Sequence, residues 1–295
     1  MSTVYLNGEF IPHERALVSV DDRGFLFADG IYEVTPAFWG TFFRIERHVE
    51  RMRRGLAELR IDFDPKSLID VHRRLLAAND LENKEATIVY FQITRGVAPR
   101  AHAFPTTAVC PTVYGFAKEL ERVPRAVWEK GFTATTVLDR RWERPDIKTI
   151  GLLPNCLALQ AAIEAGSTDA LLVKDGVALE GSHNNFFAVL DGTVSTHPAT
   201  NHILNGITRE YVLELSRELE LPVEERPIQL EELARAEEAF FTGTTTEIRP
   251  TVRIDDRPVG DGLVGPVARR LMDAYQAEVD RSRPWRTPKK DAGLV

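Results

Sequence analysis

A chain of 295 residues, 43% hydrophobic and 27% charged, can bury one large core or two ordinary ones and is too apolar for intrinsic disorder. Its net charge of -7 argues against a nucleic-acid partner, and no apolar run approaches the roughly 18 residues that a membrane span requires. Two cysteines, Cys110 and Cys156, supply neither a disulfide framework nor a sulfur metal site, so a reducing, cytoplasmic protein with no bound metal is expected.

Residues 4–12, VYLNGEFIP, read as a hairpin around Asn7-Gly8, a pair that favours the type I′ turn. Because the first residues show neither a positive leader nor an apolar signal core, no export signal is expected. Over 46–60 the period changes: Val49, Met52, Leu56 and Leu59 recur every three or four residues, which predicts a helix. A second helix is expected over 66–79, and a strand over 85–96 that ends at Gly96. Residues 112–138 hold a strand, a polar connection over 118–129 and another strand, and the connection is the expected domain boundary. Pro154 stands where a helix would begin, and the alanine- and leucine-rich run after it stops at Gly166. A meander with turn pairs Asp175-Gly176 and Asp191-Gly192 follows. NGITREYVLELSRELEL is a glycine turn opening into a helix, with Thr208 as its expected N-cap. EAFFTGTTTEIRPTVRI reads as strand, threonine-rich turn and strand. Residues 281–295 are basic and proline-bearing and are expected to form a poorly ordered tail. Strands outnumber clean βαβ units and no repeat is visible, so the fold class expected is mixed α/β (α+β), not a doubly wound sheet.

One residue is out of place in this pattern. Lys148 lies in ERPDIKTIGLLPNC, between Ile147 and the apolar Ile150, Leu152 and Leu153. Read alone, it has two explanations. Its stem can follow an apolar edge while the amine stays in water. Alternatively, burial favours the neutral amine, a nucleophile able to form an imine with a carbonyl. The second explanation needs company. Pyridoxal phosphate, a carbonyl cofactor, wants helix N-terminal N–H groups, hydroxyls and an arginine for its phosphate. Its ring nitrogen wants a carboxylate. Gly206, Ile207 and Thr208 open a helix, while Gly243, Thr244 and Thr245 form a hydroxyl-bearing turn. Arg51 lies off the apolar face of the first helix, and Glu180 stands at a strand end. Each also has a plain explanation as a helix start, a turn, a solvated arginine or a turn acid. No Walker or Rossmann glycine pattern is present.

Seven stretches carry a resemblance: DRGFLFADGIYEV, HVERM, TRGVAPRAHAFP, DIKTIGLLPN, LEGSHNNFFAV, STHPATNHILNGITRE and FFTGTTTEIRP. They run in order over nearly the whole chain. In them the sequence resembles the class IV (fold type IV) pyridoxal-phosphate aminotransferases, most closely their D-amino acid branch. The resemblance implies a small N-terminal α/β domain (1–119), a linker (120–122) and a larger C-terminal α/β domain (123–280), with the cofactor between them. It implies that Lys148 holds the cofactor as an imine and shuttles a proton, and that Glu180 pairs with the ring nitrogen. Arg51, Ile207, Thr208 and Thr244 would surround the phosphate. Tyr32 would be a phenol of the substrate pocket. Arg100 and His102, in PRAH, would grip the substrate α-carboxylate from the neighbouring subunit of a homodimer.

The implied reaction passes the amino group of a D-amino acid such as D-alanine to a 2-oxo acid such as 2-oxoglutarate in two half-reactions. Branched-chain aminotransferases, (R)-selective amine transaminases and 4-amino-4-deoxychorismate lyases share the scaffold and stay open. Three departures stand out. Thr35, Pro36 and Ala37 replace a more regular strand bearing a lysine, which bears on side-chain preference. Gly243 replaces a more usual serine, and Pro154 follows closely on Lys148.

Overall fold

Asn7 and Gly8 both adopt left-handed backbone, with φ of 49° and 101°. A type I′ turn demands this, and the two residues join β1 (Thr3–Leu6) to β2 (Glu9–Pro12). The computed structural model describes residues 2–284. The chain continues through α1 (Arg23–Phe27), β3 (Gly30–Phe38), β4 (Thr41–Phe42), α2 (Ile45–Glu58), α3 (Leu68–Ala77), β5 (Thr87–Thr94) and β6 (Thr112–Glu119). These strands form one antiparallel sheet in the order β2-β1-β6-β5-β3-β4. The apolar stripe of α2, with Val49, Met52 and Leu56, packs with Leu68, Leu75 and Leu76 of α3 over Ile31, Phe91 and Ile93 of the sheet.

The second half comprises α4 (Arg125–Trp128), β7 (Phe132–Leu138), α5 (Leu153–Glu164), β8 (Asp169–Lys174), β9 (Val177–Gly181), β10 (Asn185–Leu190), β11 (Thr193–Thr196), α6 (Ile207–Glu218), β12 (Val223–Glu225), β13 (Ile228–Gln229), β14 (Glu238–Gly243), β15 (Glu247–Ile254), β16 (Arg257–Pro258) and α7 (Pro266–Arg281). Its strands build a ten-stranded mixed sheet. Within it β10, β14, β15, β7, β8 and β9 pair in succession, and β9 pairs back to β10 through Glu180 and Asn185. Six strands therefore close on themselves, which removes their free edges. The last link of that ring is the residue pair on which the site is built.

The fold class is the expected mixed α/β, in two lobes. Three features differ from the sequence reading. The sequence predicts no element over 13–45, yet β3 spans Gly30–Phe38 and pairs along its length with β5, with only the short edge strand β4 outside it. Its burial is nearly continuous and includes Glu33 and Thr35, so the alternation that marks a half-buried strand is absent. Helix α7 is also not among the expected elements, although Ala268, Leu271, Met272, Tyr275 and Val279 line its buried face at helical spacing behind Gly265-Pro266. Finally, Gly206 rather than Thr208 is the N-cap of α6. Thr208 is the second helical residue, so its side chain is not spent on capping. Beyond Pro284 the expected tail lies outside the described residues. Among the described residues, no helix is long and apolar enough to cross a membrane.

A buried histidine ties α3 to β3. His72 is 0% exposed, its Nδ1 donates to the Leu68 carbonyl at 2.7 Å and its Nε2 accepts from the Thr35 hydroxyl at 3.2 Å. Burial lowers its pKa from the usual 6.5 to about 4. The unfolded chain therefore binds the proton more tightly, and stability present above pH 6.5 is lost as pH falls towards 4. The loss should approach about 3 kcal/mol. Unfolding free energies of the protein and of His72→Gln, from urea titrations at about pH 7.5 and 4.5, should differ most at the higher pH. A difference independent of pH would contradict the assignment.

Candidate active site

Lys148 reaches the space between the lobes because its segment is stitched to the small sheet. The Tyr32 N–H donates to the Lys148 carbonyl at 3.0 Å, and the Ile150 N–H donates to the Gly30 carbonyl at 3.2 Å. Ile147 is 5% exposed and belongs to the core under α2. Asp146 accepts from Arg54 at 2.6 Å and from Arg144 at 2.9 Å. The segment is thereby held on both sides of the lysine, and its amine lies 4.2 Å from the centroid of the Tyr32 ring. Half-buried, it opens into a cavity of about 480 Å³.

Glu180 lies in the same cavity, only 4% exposed, at the link that closes the strand ring. Arg141, just beyond β7, pairs with it and with Asp139. The Asn185 amide donates to it at 2.9 Å, and the Leu204 N–H contacts its two oxygens at 3.2 and 3.1 Å. Burial is the largest influence and pushes the Glu180 carboxyl above the usual carboxylate range, although Arg141 pulls the other way. A carboxylate of raised basicity is suited to share a proton with a heterocyclic nitrogen.

The far end of the cavity is an anion cradle. Ile207 and Thr208 open α6 with no side-chain cap, so the first N–H groups of the helix remain available. Gly206 is required by close approach: a Cβ there would lie 2.1 Å from Asn185 Oδ1 and displace the side chain that holds Glu180. Thr242 and Gly243, at the end of β14, and Thr244, in the turn after it, form another lip of the cradle. Arg51 completes the cradle but is not the free arginine that its place on the helix suggests. It donates to Glu33 at 2.8 and 2.6 Å and to the Asn205 carbonyl at 3.2 Å. Glu33 and His48, 2% and 1% exposed, lie behind it and are 3.0 Å apart. Burial would raise the Glu33 carboxyl, but Arg51 and His48 outweigh it and hold the group well below the usual range. The arginine is thus fixed in orientation before any ligand arrives.

Of the expected site residues, Tyr32, Arg51, His102, Lys148, Glu180, Ile207, Thr208 and Thr244 all line this cavity. His102 does so in its own chain, packed 5.7 Å from the Phe27 ring. Arg100 is not among the lining residues and rests with its guanidinium 5.3 Å from the same ring. The cavity suits pyridoxal phosphate. Thr242 Oγ1 and Asn184 Oδ1 are buried beside the cradle without a protein partner, an imbalance that a polar ligand would relieve. The helix end and Arg51 would take the phosphate, Glu180 the ring nitrogen and Lys148 the aldehyde. Among the described residues, no cluster of three metal-binding side chains occurs. Sequence alone does not single out Glu33, Arg141, Asn185 or Leu204. Their one visible signal is position next to a strand end or turn, which many residues share.

Known proteins agree with this reading. The model of the family described as amino-transferase class IV matches residues 30–254. A D-alanine aminotransferase of Staphylococcus haemolyticus is 41% identical over 282 residues, which covers 95% of this chain and 99% of that one. The branched-chain amino acid aminotransferase of Escherichia coli superposes with a TM-score of 0.87 at 25% identity, over 94% of each chain. The branched-chain aminotransferase of the thermophilic archaeon Thermoproteus uzoniensis, solved with norvaline, gives 0.84 at 26% identity, over 96% of each chain. A match so long, in a chain whose lysine, buried acid and anion cradle meet in one cavity, leaves one conclusion: this protein belongs to the class IV aminotransferases and uses pyridoxal phosphate.

Proposed function

We propose that the chain transfers the amino group of a D-amino acid to a 2-oxo acid, in two half-reactions at the cavity around Lys148. The observation that carries the reading is the meeting of Lys148, buried Glu180 and the open end of α6 in one cavity, in a chain that is 41% identical to a D-alanine aminotransferase. Bound pyridoxal phosphate supplies the aldehyde and the electron-withdrawing ring. Lys148 provides the amine that is exchanged for the substrate's and then moves the proton at the substrate Cα. Glu180, steadied by Arg141 and Asn185, holds a proton at the ring nitrogen. Ile207, Thr208, Thr244 and Arg51 orient the phosphate. Tyr32, 4.2 Å from the lysine amine by its ring centroid, shields that amine from bulk water.

Arg100 and His102 hold the substrate carboxylate, and where they hold it decides which enantiomer fits. A guanidinium suits this role because it grips a carboxylate in a fixed plane. Their loop is well anchored: Arg23 donates to the Ala101 carbonyl at 2.6 Å, between the two residues, and to Asp29 at 2.7 Å. The working form is a homodimer in which this loop, whose His102 lines the cavity of its own chain, also reaches the neighbouring site. Support comes from large apolar side chains left bare in the single chain. Leu153 and Leu157, one turn apart on α5, are 70% and 62% exposed, and Phe25 on α1 is 73% exposed. A division into domains 1–119 and 123–280 across the linker 120–122, and a cytoplasmic location, belong to the same reading. The exposed free thiols of Cys110 and Cys156 suit a reducing compartment.

Both enantiomers of alanine, glutamate and leucine, each with pyruvate or 2-oxoglutarate as acceptor, test the proposal. D-substrates should turn over fastest, and a preference for L-leucine would refute it. Arg100→Ala should raise KM for D-alanine by about 30-fold or more, the loss of a charged pair worth at least about 2 kcal/mol. Cofactor affinity should hold within about twofold. An unchanged KM would remove Arg100 from the site.

A further inference from the structure

His183 lines the cavity that holds Lys148 and has no part in the roles of Lys148, Glu180 or the anion cradle. It follows Ser182 in the turn between β9 and β10, on the wall formed by the large sheet. Its side chain is 42% exposed. Ser182 is 2% exposed, so the edge of the ring turned towards it is the covered one.

The hydrogen bonds behind the ring set its tautomer. Asp169, 1% exposed, accepts from the Ala170 N–H at 2.8 Å, from the Asn184 amide at 2.6 Å and from the Ser182 hydroxyl at 2.7 Å. A carboxylate only accepts, so the single hydroxyl proton of Ser182 points to Asp169. Ser182 Oγ therefore presents lone pairs to His183 Nδ1, 2.8 Å away, and Nδ1 carries the hydrogen. That leaves Nε2, at the end of the ring away from Ser182, with its lone pair free.

The charged groups packed around this ring are Asp169 on β8, Arg249 on β15 and Lys148 opposite. Burial, with Arg249 and Lys148, holds His183 below its usual range, and Asp169 opposes them. The ring is therefore neutral until an anion arrives at Nε2. An anion there would favour the protonated form and turn the acceptor into a charged donor.

We propose that His183 is a specificity-determining residue that receives the side-chain carboxylate of a dicarboxylic substrate, an acidic amino acid or its 2-oxo acid, and takes up a proton as it does so. The inference rests on the transaminase reading, in which Arg100 and His102 hold the α-carboxylate and leave the side chain of the substrate to the rest of the cavity. A second carboxylate a few carbons away would have His183 as a partner within the cavity that it lines. The methyl group of alanine offers the ring no such charge.

The test uses unreactive acids and the holoenzyme. Binding of glutarate and of butyrate is measured by calorimetry at about pH 7.5, in two buffers of different ionisation enthalpy, for the protein and for His183→Gln. Glutarate should bind with net uptake of up to one proton, and should bind about tenfold or more weakly to the variant, the loss of one charge-assisted hydrogen bond. Butyrate should bind both alike, with the same proton uptake in the protein and in the variant. Glutarate binding unchanged in the variant, or without proton uptake, overturns the proposal. So does an equal loss for both acids. Titration of the apoprotein with pyridoxal phosphate separates the other anion in the cavity: weaker cofactor binding by the variant would place His183 at the phosphate and overturn the substrate role. Turnover of D-amino acids by the unmodified protein reports independently on the transaminase reading.

Discussion

Lys148→Ala should lower transamination at least about 10³–10⁴-fold, because the variant lacks both the amine that is exchanged and the group that moves the Cα proton. The fold should survive. The segment is held by backbone bonds to Tyr32 and Gly30, by Asp146 and by the buried Ile147, none of which uses the lysine side chain. Steady-state kinetics with D-alanine and 2-oxoglutarate measure the loss, and an unchanged denaturation midpoint confirms intact structure. Added methylamine should restore part of the rate by supplying the missing base. Normal turnover without added amine would remove Lys148 from the chemistry and with it the functional account.

Glu180→Gln should cost about 10²–10⁴ in kcat, on the scale of removing a placed acid–base or electrostatic group. The amide matches the carboxylate in shape, and its oxygen can still accept from Asn185 and the Leu204 N–H while its NH2 turns to the side of Arg141, so the cradle at Gly206 should remain intact. What is lost is the charge that holds a proton at the ring nitrogen. Arg141 keeps Asp139 as a partner, which limits the structural penalty. The expected signature is therefore a variant that retains pyridoxal phosphate at full stoichiometry yet turns over slowly. A loss below about threefold, or loss of the cofactor itself, would assign Glu180 a different role.

The sequence shows some of this site openly and hides the rest, for physical reasons. Lys148 is visible as a charge at the edge of an apolar run, and the α6 start as a glycine followed by a helical period. Both signals are local. Ile207, Thr208 and Thr244 can be placed because a helix end and a threonine-rich turn are short-range patterns. The mistaken N-cap at Thr208 comes from the same rule, since threonine is a favoured cap and the extended backbone of Gly206 leaves no mark in composition. Arg51 is visible as a residue off the apolar face of its helix, but its fixed orientation is not. That depends on Glu33, 18 residues earlier, in a strand whose buried acid breaks the alternation that would reveal it. Arg141 meets Glu180 only because β7, β8 and β9 are neighbours in the sheet, and no period in the sequence records that adjacency. Helix α7 differs from these, because its period is readable in the sequence and its omission has no physical cause.

The most direct measurement is the site of cofactor attachment. Holoenzyme reduced with borohydride, digested and read by mass spectrometry should carry a phosphopyridoxyl group on Lys148 and on no other lysine. The same group found on another lysine, or on none, would contradict the claim from which every assigned role follows.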